Sequence, residues 1–296
     1  MSEKKQKQTK KNKHKKWLFV LLAVLAIAIL AYLSFDYYRM YQKGLIQEES
    51  GTTLSTEESS NETSGNYTKS LLKGDDEIPL CSGNEYGKTH EIIKHGNYTL
   101  CYCEKFEQPE WVAYELTSSE LNKVASRKNN FHSDPSVSTG SATPNDYYKS
   151  GYDRGHLAPA ADMSFSEDAM NESFFMSNMS PQHPDLNRGL WLEMEKIERD
   201  WAKRYGSVYI VSGPVLNKDD FKTIGENQVA VPDFFYKILV SWDESASEGK
   251  GGYVWVAYLA PNTTTNNQPS DFVSSVSEIE NLTGIDFFPI LNNVVK

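Results

Sequence analysis

The chain has 296 residues, of which 39% are hydrophobic, and its formal net charge is −10. This length fits one large domain or two small ones. Eight lysines and one glutamate stand in the first 16 residues, so residues 17–296 carry a charge of −17. That acidic balance excludes a nucleic-acid packaging protein, because such binding depends on neutralising phosphates with Lys and Arg.

Residues 17–35 form an uncharged apolar segment, WLFVLLAVLAIAILAYLSF. As a helix it would span about 28 Å, enough to cross the hydrocarbon core of a bilayer. A cleaved signal peptide would have a shorter apolar core followed by small residues, whereas the alanines here lie inside the run. The pattern therefore favours an uncleaved signal anchor. The lysine-rich tail (residues 1–16) then stays in the cytoplasm, and the rest of the chain lies outside it, tethered to the cell membrane.

Residues 36–76 are rich in Glu, Ser, Thr, Asn and Gly. A segment of this composition buries too little apolar surface to order itself, so it predicts a flexible linker. Residues 77–296 remain, and their number is typical of a single globular domain. The sequence therefore predicts a tail, an anchor, a linker and one domain.

Three cysteines, Cys81, Cys101 and Cys103, fall in the exported part, where disulfides persist. Cys101 and Cys103 are two residues apart in a strand-like run, so they face the same side and pair poorly with each other. Two alternatives stay open. Either Cys81 forms a bridge to one of the other two, or all three cysteines are unbridged.

The predicted elements of the domain show no regular alternation of strand and helix, which indicates the α+β class. Strands are predicted at Tyr98–Tyr102, Trp111–Leu116, Val208–Val211, Phe234–Trp242 and Tyr253–Leu259. In residues 186–203 apolar side chains recur every three or four positions, which predicts a helix that ends before Gly206. Near the C-terminus two short helices are alternatives: one is capped by Ser270-Asp271 and runs to about Val276, and the other begins at Ser277 and ends before Gly284.

Two stretches combine the side chains that phosphodiester cleavage requires. The first is the tetrapeptide Asp153-Arg-Gly-His156, and the second is residues 178–195. Cleavage needs a base for water, a hard metal ion, and guanidinium groups for the phosphate. His156 is the candidate base, because histidine accepts a proton near neutral pH, and Gly155 lets the backbone approach a ligand closely.

Asn187 has two interpretations that the residues alone leave open. The first, which the spacing favours, is an N-cap, because Asn187 stands at the start of the predicted helix. The second is a metal ligand, because its amide oxygen is of the kind that Mg²⁺ binds. Glu195 lies about 80° around the helix from Asn187, so it either borders the same site or is a solvated surface residue. The candidates for phosphate contact are Arg154, Arg127 and Arg188, because guanidinium groups match phosphate oxygens.

The gapped pattern Asp-Arg-Gly-His, then Asn-(x)₃-Gln-(x)₄-Asn-(x)₃-Trp-(x)₃-Glu, resembles the motif of the DNA/RNA non-specific endonuclease family, the Serratia nuclease and endonuclease G type. The likeness covers roughly residues 85–291, because four further blocks are similar. These blocks are Trp111–Thr117, Val211–Val215, Val231–Lys237 and Leu282–Pro289. The resemblance implies a ββα-metal nuclease fold, with a central antiparallel sheet flanked by helices and preceded here by the transmembrane helix.

The resemblance also implies a role for each motif residue. His156 matches the general base that activates water. Asn187 matches the one direct protein ligand of a hydrated Mg²⁺, and Mn²⁺ is a second candidate ion. This match reverses the preference for a simple N-cap at Asn187. Glu195 matches a residue that holds the water shell of the metal.

Asn178 matches a family residue that supports the base, while Arg154 and Arg127 match arginines that contact phosphate. The implied function is hydrolysis of DNA, and of RNA as well, to products with 5′-phosphates and with little sequence preference. With its predicted signal anchor, the chain resembles the membrane-anchored bacterial nucleases. An alternative is a non-catalytic surface receptor for nucleic acid, which predicts substitutions at His156 or Asn187; both residues are present.

Overall fold

The computed structural model describes residues 79, 81, 90–246 and 251–288. The predicted basic tail, signal anchor and linker lie outside the described residues. Within the described ranges, no helix is both long and apolar enough to span a membrane.

The strands and helices are named in chain order. The strands are β1 (His90–Lys94), β2 (Thr99–Cys103), β3 (Gln108–Thr117), β4 (Asp153–His156), β5 (Met179–Gln182), β6 (Ser207–Pro214), β7 (Thr223–Ile224), β8 (Val229–Ala230), β9 (Phe234–Asp243), β10 (Gly252–Pro261) and β11 (Val273–Ser274). The α-helices are α1 (Glu167–Glu172), α2 (Trp191–Tyr205) and α3 (Val276–Thr283). Short 3₁₀-helices occupy Glu104–Phe106, Ser118–Leu121, Pro144–Tyr147, Met176–Asn178 and Pro269–Phe272.

Seven strands form one antiparallel sheet in the order β1-β2-β3-β6-β9-β10-β11. All five strands predicted from the sequence belong to this sheet, and each is confirmed within a few residues of its ends. The short edge strands β1 and β11 are not among the predicted ones. Edge strands depend on pairing with a neighbour more than on their own pattern, so the sequence indicates them weakly.

Alternation along the strands separates the two largest hydrophobic cores of the described part, which lie on opposite faces of this sheet. In β3, Tyr114 and Leu116 point into the first core, while Trp111 and Ala113 point into the second. Successive side chains of a strand face opposite sides of the sheet, so the sheet is the middle of three layers. Helix α2 packs on the first core, and α3 packs on the second. This arrangement confirms the α+β class.

The helix predicted over residues 186–203 is confirmed, but it begins differently. Leu186–Leu190 forms a π-helical turn, and α2 continues from it. Turns of this kind are rare and are often found at functional sites. The helix ends at Gly206, which has a φ of 89° and donates its N–H to the carbonyl oxygen of Ala202.

The C-terminal helix α3 follows the second of the two predicted alternatives. The hydroxyl of Ser275 accepts a hydrogen bond from the N–H of Glu278 at 3.0 Å, and Gly284, with a φ of 71°, ends the helix. The alternative that begins at Ser270 is wrong. Pro269–Phe272 makes a single 3₁₀ turn, after which β11 pairs with β10 and cannot continue a helix.

Strands β4 and β5 form a separate antiparallel pair that leads directly into the π-turn and α2. Two strands followed by a helix make a ββα unit, which is the arrangement that the resemblance implies. Gly155 in β4 lies opposite Ser180 in β5. A β-carbon at position 155 would overlap the side chain of Gln182, so only glycine allows this close approach.

A cluster of charged side chains is buried between the sheet and α2. Lys237 of β9 and Glu198 of α2 are both fully buried and form an ion pair. The hydroxyl of Tyr114 lies 2.9 Å from carboxylate oxygens of both Glu198 and Asp162, and Arg199 pairs with Asp162 at 2.6 Å. Burial, followed by the nearby Glu198, raises the pKa of Asp162. Buried charges are costly unless they are paired, and the pairing fixes α2 on the sheet.

A disulfide joins Cys81 to Cys101, with the two Cα atoms 5.9 Å apart, while Cys103 lies buried outside the bridge. The alternative of a bridge from Cys81 is therefore confirmed, and the alternative of three unbridged cysteines is wrong. The bridged residues are 20 positions apart. A bridge of this span stabilises a fold by about 3 kcal/mol, chiefly because it restricts the unfolded chain.

Replacing Cys81 with serine should lower the free energy of unfolding by about 3 kcal/mol, because the unfolded chain regains its lost freedom. Unfolding in guanidinium chloride measures the effect in Cys81→Ser, the oxidised parent and the reduced parent. The variant and the reduced parent are expected to unfold at the same, lower denaturant concentration. An oxidised parent that unfolds together with Cys81→Ser would contradict the stabilising role of the bridge.

Candidate active site

A cleft of about 290 Å³ opens between strand β4, the loop that follows it, and the helical segment made of the π-turn and α2. Six of the seven residues predicted for the site line this cleft: Arg127, Arg154, His156, Asn187, Arg188 and Glu195. The seventh, Asn178, does not line it. The fold therefore brings together side chains that are up to 68 positions apart in the sequence.

His156 ends strand β4, and only 7% of it is exposed. Its ring packs against Phe131 and Phe174, with ring centres 5.6 and 5.2 Å away. Burial lowers the pKa of His156 to about 3, and the charges of Arg127 and Arg154 add to this shift. The imidazole is therefore neutral at neutral pH. Its buried Nε2 has no hydrogen-bond partner among the described residues, so it can accept a proton.

The backbone of His156 is held by helix α2. The indole Nε1 of Trp191 donates a hydrogen bond to the carbonyl oxygen of His156 at 3.1 Å. Trp191 is fully buried, and Nζ of Lys237 lies 4.5 Å from the centre of its ring. The candidate base is therefore tied to the same helix that carries Asn187 and Glu195 into the cleft.

Asn187 lies inside the π-helical turn and does not cap it. Its backbone N–H donates to the carbonyl oxygen of His183 at 2.9 Å, and the N-cap position belongs to Asp185. The simple N-cap interpretation is therefore wrong. The side-chain Nδ2 donates instead to Asp153 at 2.9 Å, and none of the described donors bonds to Oδ1. The amide oxygen of Asn187 is available at the cleft.

Asp153 organises one side of the cleft. Its carboxylate accepts hydrogen bonds from Nε and Nη2 of Arg188, at 2.8 and 2.7 Å, in addition to the bond from Asn187. Burial acts to raise the pKa of Asp153, but the hydrogen bonds from Arg188 and Asn187 outweigh it and the net shift is downward. Because Arg188 is engaged by Asp153, its contact with phosphate stays a prediction.

The other two arginines of the cleft stack on the rings that surround His156. The guanidinium of Arg154 lies 4.2 Å from the ring centre of Phe131, and that of Arg127 lies 5.3 Å from the ring centre of Phe174. Stacking on an aromatic face fixes the plane of a guanidinium group and leaves its edge N–H groups for hydrogen bonds. Nε of Arg127 already donates to Oδ1 of Asn129 at 2.8 Å, so the remaining N–H groups of Arg127 and those of Arg154 are available to an anion.

Glu195 lines the cleft from the start of α2 and is partly exposed. Burial of its carboxyl group raises the pKa to about 7, and Glu198 adds to the shift, whereas Lys237, Arg199 and Arg127 oppose it. The carboxyl group thus exchanges its proton near neutral pH. A cation placed beside it would favour the ionised form.

Asn178 is fully buried and supports the segment that follows His156. Its side-chain amide bonds to the N–H and the carbonyl oxygen of Ala158, at 2.8 and 2.9 Å, and to the carbonyl oxygen of Ser173 at 2.9 Å. Its backbone carbonyl accepts the N–H of Leu157 at 3.1 Å. These contacts suit the predicted supporting role, since Asn178 fixes the chain next to His156 and is not among the residues that line the cleft.

Lys237 and Glu198 hold the site together but are absent from the residues predicted for it. Alternation in β9 places Lys237 between Phe235 and Leu239, which both point into the first core. Glu198 falls on the apolar stripe of α2, four residues after Met194. The sequence signal for such an ion pair is a lysine on the buried face of a strand together with a glutamate on the apolar stripe of a helix.

A second group of ligand-type side chains shares no residue with the cleft. His90, Cys103 and Glu110 place a nitrogen, a sulfur and an oxygen atom within 4.8 Å of one another. This group lies on β1, β2 and β3. It has no bearing on whether an ion binds at Asn187.

Comparison with known proteins gives a consistent family. The DNA/RNA non-specific endonuclease family matches residues 81–293, which include every residue of the cleft. Mitochondrial nuclease EXOG of Danio rerio is 36% identical over 208 residues, which are 66% of this chain and 60% of that protein. The chain therefore spans about three fifths of the length of this relative.

Two further relatives show similar identity. Mitochondrial endonuclease G of Homo sapiens is 34% identical over 213 residues, which are 67% of this chain and 70% of that protein. A nuclease of Nostoc sp. is 35% identical over 230 residues, which are 73% of this chain and 81% of that protein. The similarity is thus shared by mitochondrial and bacterial proteins.

A solved structure extends the similarity to the fold. The structure is the EndoG/EndoGI complex, described as showing the mechanism of EndoG inhibition. It superposes with a TM-score of 0.60 at 30% identity, covering 68% of this chain and 87% of that chain. The resemblance drawn from the Asp153–His156 and 178–195 motifs is therefore confirmed. The chain belongs to the DNA/RNA non-specific endonuclease family.

Proposed function

We propose that the chain is a metal-dependent nuclease that hydrolyses phosphodiester bonds of DNA and RNA. The observation that carries the proposal is the neutral, buried His156, whose Nε2 is unpartnered among the described residues and which shares a cleft with Arg127 and Arg154. Phosphodiester hydrolysis requires a base for water beside cations that bind phosphate. The relatives include a nuclease EXOG and an endonuclease G, which supports the same chemistry.

In the proposed reaction, Nε2 of His156 accepts a proton from water as the water oxygen attacks phosphorus. The bond to the 3′ oxygen breaks in line with this attack, so the products carry 5′-phosphates. A histidine with a pKa of about 3 is a weak base. Burial is the largest cause of this low pKa, and the charges of Arg127 and Arg154 add to it. A phosphate held between the two arginines would offset their part of the shift, so the base becomes stronger when substrate is bound.

The oxygens of Asn187 and Glu195 fit a hydrated divalent cation. Mg²⁺ prefers oxygen ligands, keeps most of its waters and needs few protein contacts, and Mn²⁺ suits the same oxygen atoms. Asp153 holds Nδ2 of Asn187, which leaves Oδ1 as the ligand atom, and the Glu195 carboxylate lines the same cleft. When bound, such an ion would stabilise the negative charge that develops on the phosphate and the leaving oxygen.

Arg154 and Arg127 would bind the non-bridging oxygens of the scissile phosphate, because their stacked guanidinium groups are already oriented. Arg188, with 71% of its side chain exposed, would contact phosphate through the N–H groups that its pairing with Asp153 does not use. Contacts to phosphate carry no sequence information. The proposed enzyme therefore cuts with little sequence preference.

We further propose that the nuclease acts outside the cytoplasm, tethered to the cell membrane. The lysine-rich residues 1–16 followed by the uncharged residues 17–35 support this topology. The disulfide between Cys81 and Cys101 adds independent support, because disulfides persist in oxidising compartments. Residues 36–76 would serve as the linker between the anchor and the domain formed by residues 77–296.

The full-length protein in detergent should nick supercoiled plasmid in the presence of Mg²⁺ and should stop when EDTA is added. His156→Ala should cut about 10²- to 10⁴-fold more slowly with an unchanged circular dichroism spectrum, because only the proton acceptor is lost. His183→Ala is the matched control, since His183 does not line the cleft. A His156→Ala variant that cuts at the parent rate would refute the assigned base. A parent that binds plasmid without cutting it would support the receptor alternative.

Acid should destabilise the parent protein through His156. Its folded-state pKa of about 3 lies below the ordinary value of 6.5, so the unfolded chain takes up this proton first. Stability is therefore lost as the pH falls from about 6.5 towards 3, by up to about 1.4 kcal/mol per pH unit.

Urea unfolding at pH 7 and pH 4.5 measures this contribution. Between these two pH values the parent should lose about 2–3 kcal/mol more stability than His156→Ala, which lacks the buried imidazole. The comparison uses the change with pH, so the lower absolute stability of the variant does not affect it. Equal losses in both proteins would show that His156 is not buried in its neutral form.

A further inference from the structure

A second groove, of about 350 Å³, adjoins the catalytic cleft. Arg154 lines both the cleft and the groove. A nucleic-acid strand whose scissile phosphate lies at His156 would therefore place its next nucleotide at this groove. Its walls include Tyr147, Tyr148 and Tyr152, and we name it the tyrosine groove. None of these tyrosines has a part in the reaction at His156.

Two tyrosine rings of the tyrosine groove each have a lysine side chain over them; Lys149 lines the groove, whereas Lys222 does not and lies beside it. Tyr148 is 72% exposed, and Nζ of Lys149 lies 5.0 Å from the centre of its ring. Tyr152 is partly exposed and has Nζ of Lys222 4.9 Å from its ring centre. Surfaces of this kind bind single-stranded nucleic acid, because aromatic rings stack on bases and lysines neutralise phosphates.

The backbone holds Tyr148 outward in a strained turn. Lys149 has a φ of 54°, which is unfavourable for a residue with a β-carbon. Two hydrogen bonds enforce the turn: the N–H of Tyr148 donates to the carbonyl oxygen of Asn145 at 3.0 Å, and that of Ser150 donates to Tyr147 at 3.2 Å. Such strain persists only where the surrounding structure enforces it, and it concentrates at ligand-binding sites.

Tyr147 adds a hydrogen-bond donor to the wall of the groove. It is 5% exposed, and its hydroxyl has no partner among the described residues. Burial raises the pKa of Tyr147, so the hydroxyl keeps its proton. A buried hydroxyl without a partner is unfavourable, and a polar atom of a bound nucleotide would satisfy it.

Positive charge in the groove is not neutralised by neighbouring acids. Lys149 and Lys222 form no ion pair with any described residue, and Nζ of Lys222 donates to the hydroxyl of Tyr152 at 3.4 Å. Asp153, the acid of the groove, is already paired with Arg188. In a chain whose residues 17–296 carry a charge of −17, this local excess of positive charge would attract phosphate.

We propose that the tyrosine groove is a subsite for an unpaired nucleotide of the substrate strand, adjacent to the phosphate cleaved at His156. The ring of Tyr148 stacks on the base, and Lys149 and Lys222 neutralise the flanking phosphate. The hydroxyl of Tyr147 donates a hydrogen bond to the same nucleotide. This subsite rests on the proposed nuclease function, and it implies that single strands bind more tightly than duplex.

The test is binding of a fluorescein-labelled single-stranded oligonucleotide to the full-length protein in detergent. Fluorescence anisotropy with EDTA present gives Kd without cleavage. Tyr148→Ala should raise Kd about 5- to 100-fold, the range expected for loss of one stacked base. Tyr148→Phe keeps the ring and should stay within about 2-fold of the parent. The matched control is Tyr205→Ala, because Arg204 lies 5.0 Å from that ring and Tyr205 lines neither cleft.

A parent-like Kd for Tyr148→Ala would overturn the subsite, as would equal weakening by the alanine and phenylalanine variants. A parent that binds duplex as tightly as single strands would also overturn it. The nuclease function is tested separately by Mg²⁺-dependent hydrolysis of bis(4-nitrophenyl) phosphate by the parent. This small diester has no nucleobase to stack on Tyr148. Its hydrolysis therefore tests the nuclease function without the subsite, and a failure of one proposal is distinguishable from a failure of the other.

Discussion

The buried ion pair between Lys237 and Glu198 is the constraint on which the site depends. A charge removed from water costs several kcal/mol unless it is paired, so strand β9 and helix α2 have one favourable relative position. In that position Lys237 lies over the ring of Trp191, and the indole Nε1 reaches the backbone of His156. The same helical segment carries Asn187 and Glu195. The ion pair and the hydrogen bond from Trp191 together set the candidate base and the candidate metal ligands relative to each other.

The electrostatics of the cleft follow from what is buried in it. His156 is neutral because burial and two neighbouring arginines disfavour its charged form. Asp153 stays ionised because Arg188 and Asn187 donate to it. Residues 17–296 carry a net negative charge, but the cleft itself contains three arginines. This distribution suits an enzyme that releases its product rapidly better than a protein that binds nucleic acid tightly. The tyrosine groove would add affinity by stacking, which does not depend on net charge.

Much of this arrangement could be predicted from the sequence. The central strands and α2 have clear periodicity, and the gapped motif contains four of the residues that line the cleft, Arg154, His156, Asn187 and Glu195. Strands β4 and β5 could not be predicted, because DRGH and MSPQ lack alternation and contain glycine and proline. The choice of Cys101 over Cys103 as the partner of Cys81 could not be made, since both face the same side of β2. From the residues alone, Asn187 could be either an N-cap or a metal ligand. The backbone hydrogen bonds that exclude the N-cap depend on the π-turn, which the sequence does not predict.

The activity of Trp191→Phe tests the central claim most directly. Phenylalanine keeps an aromatic ring over Lys237 but removes the indole N–H that holds the His156 carbonyl. We expect a folded protein with kcat at least about 10-fold lower and KM nearly unchanged, because a small displacement of the base weakens the reaction without weakening substrate binding. Trp201→Phe, on the same helix but outside this contact, is the control. A folded Trp191→Phe protein with the kcat of the parent would contradict the claim that the hydrogen bond from Trp191 positions the candidate base.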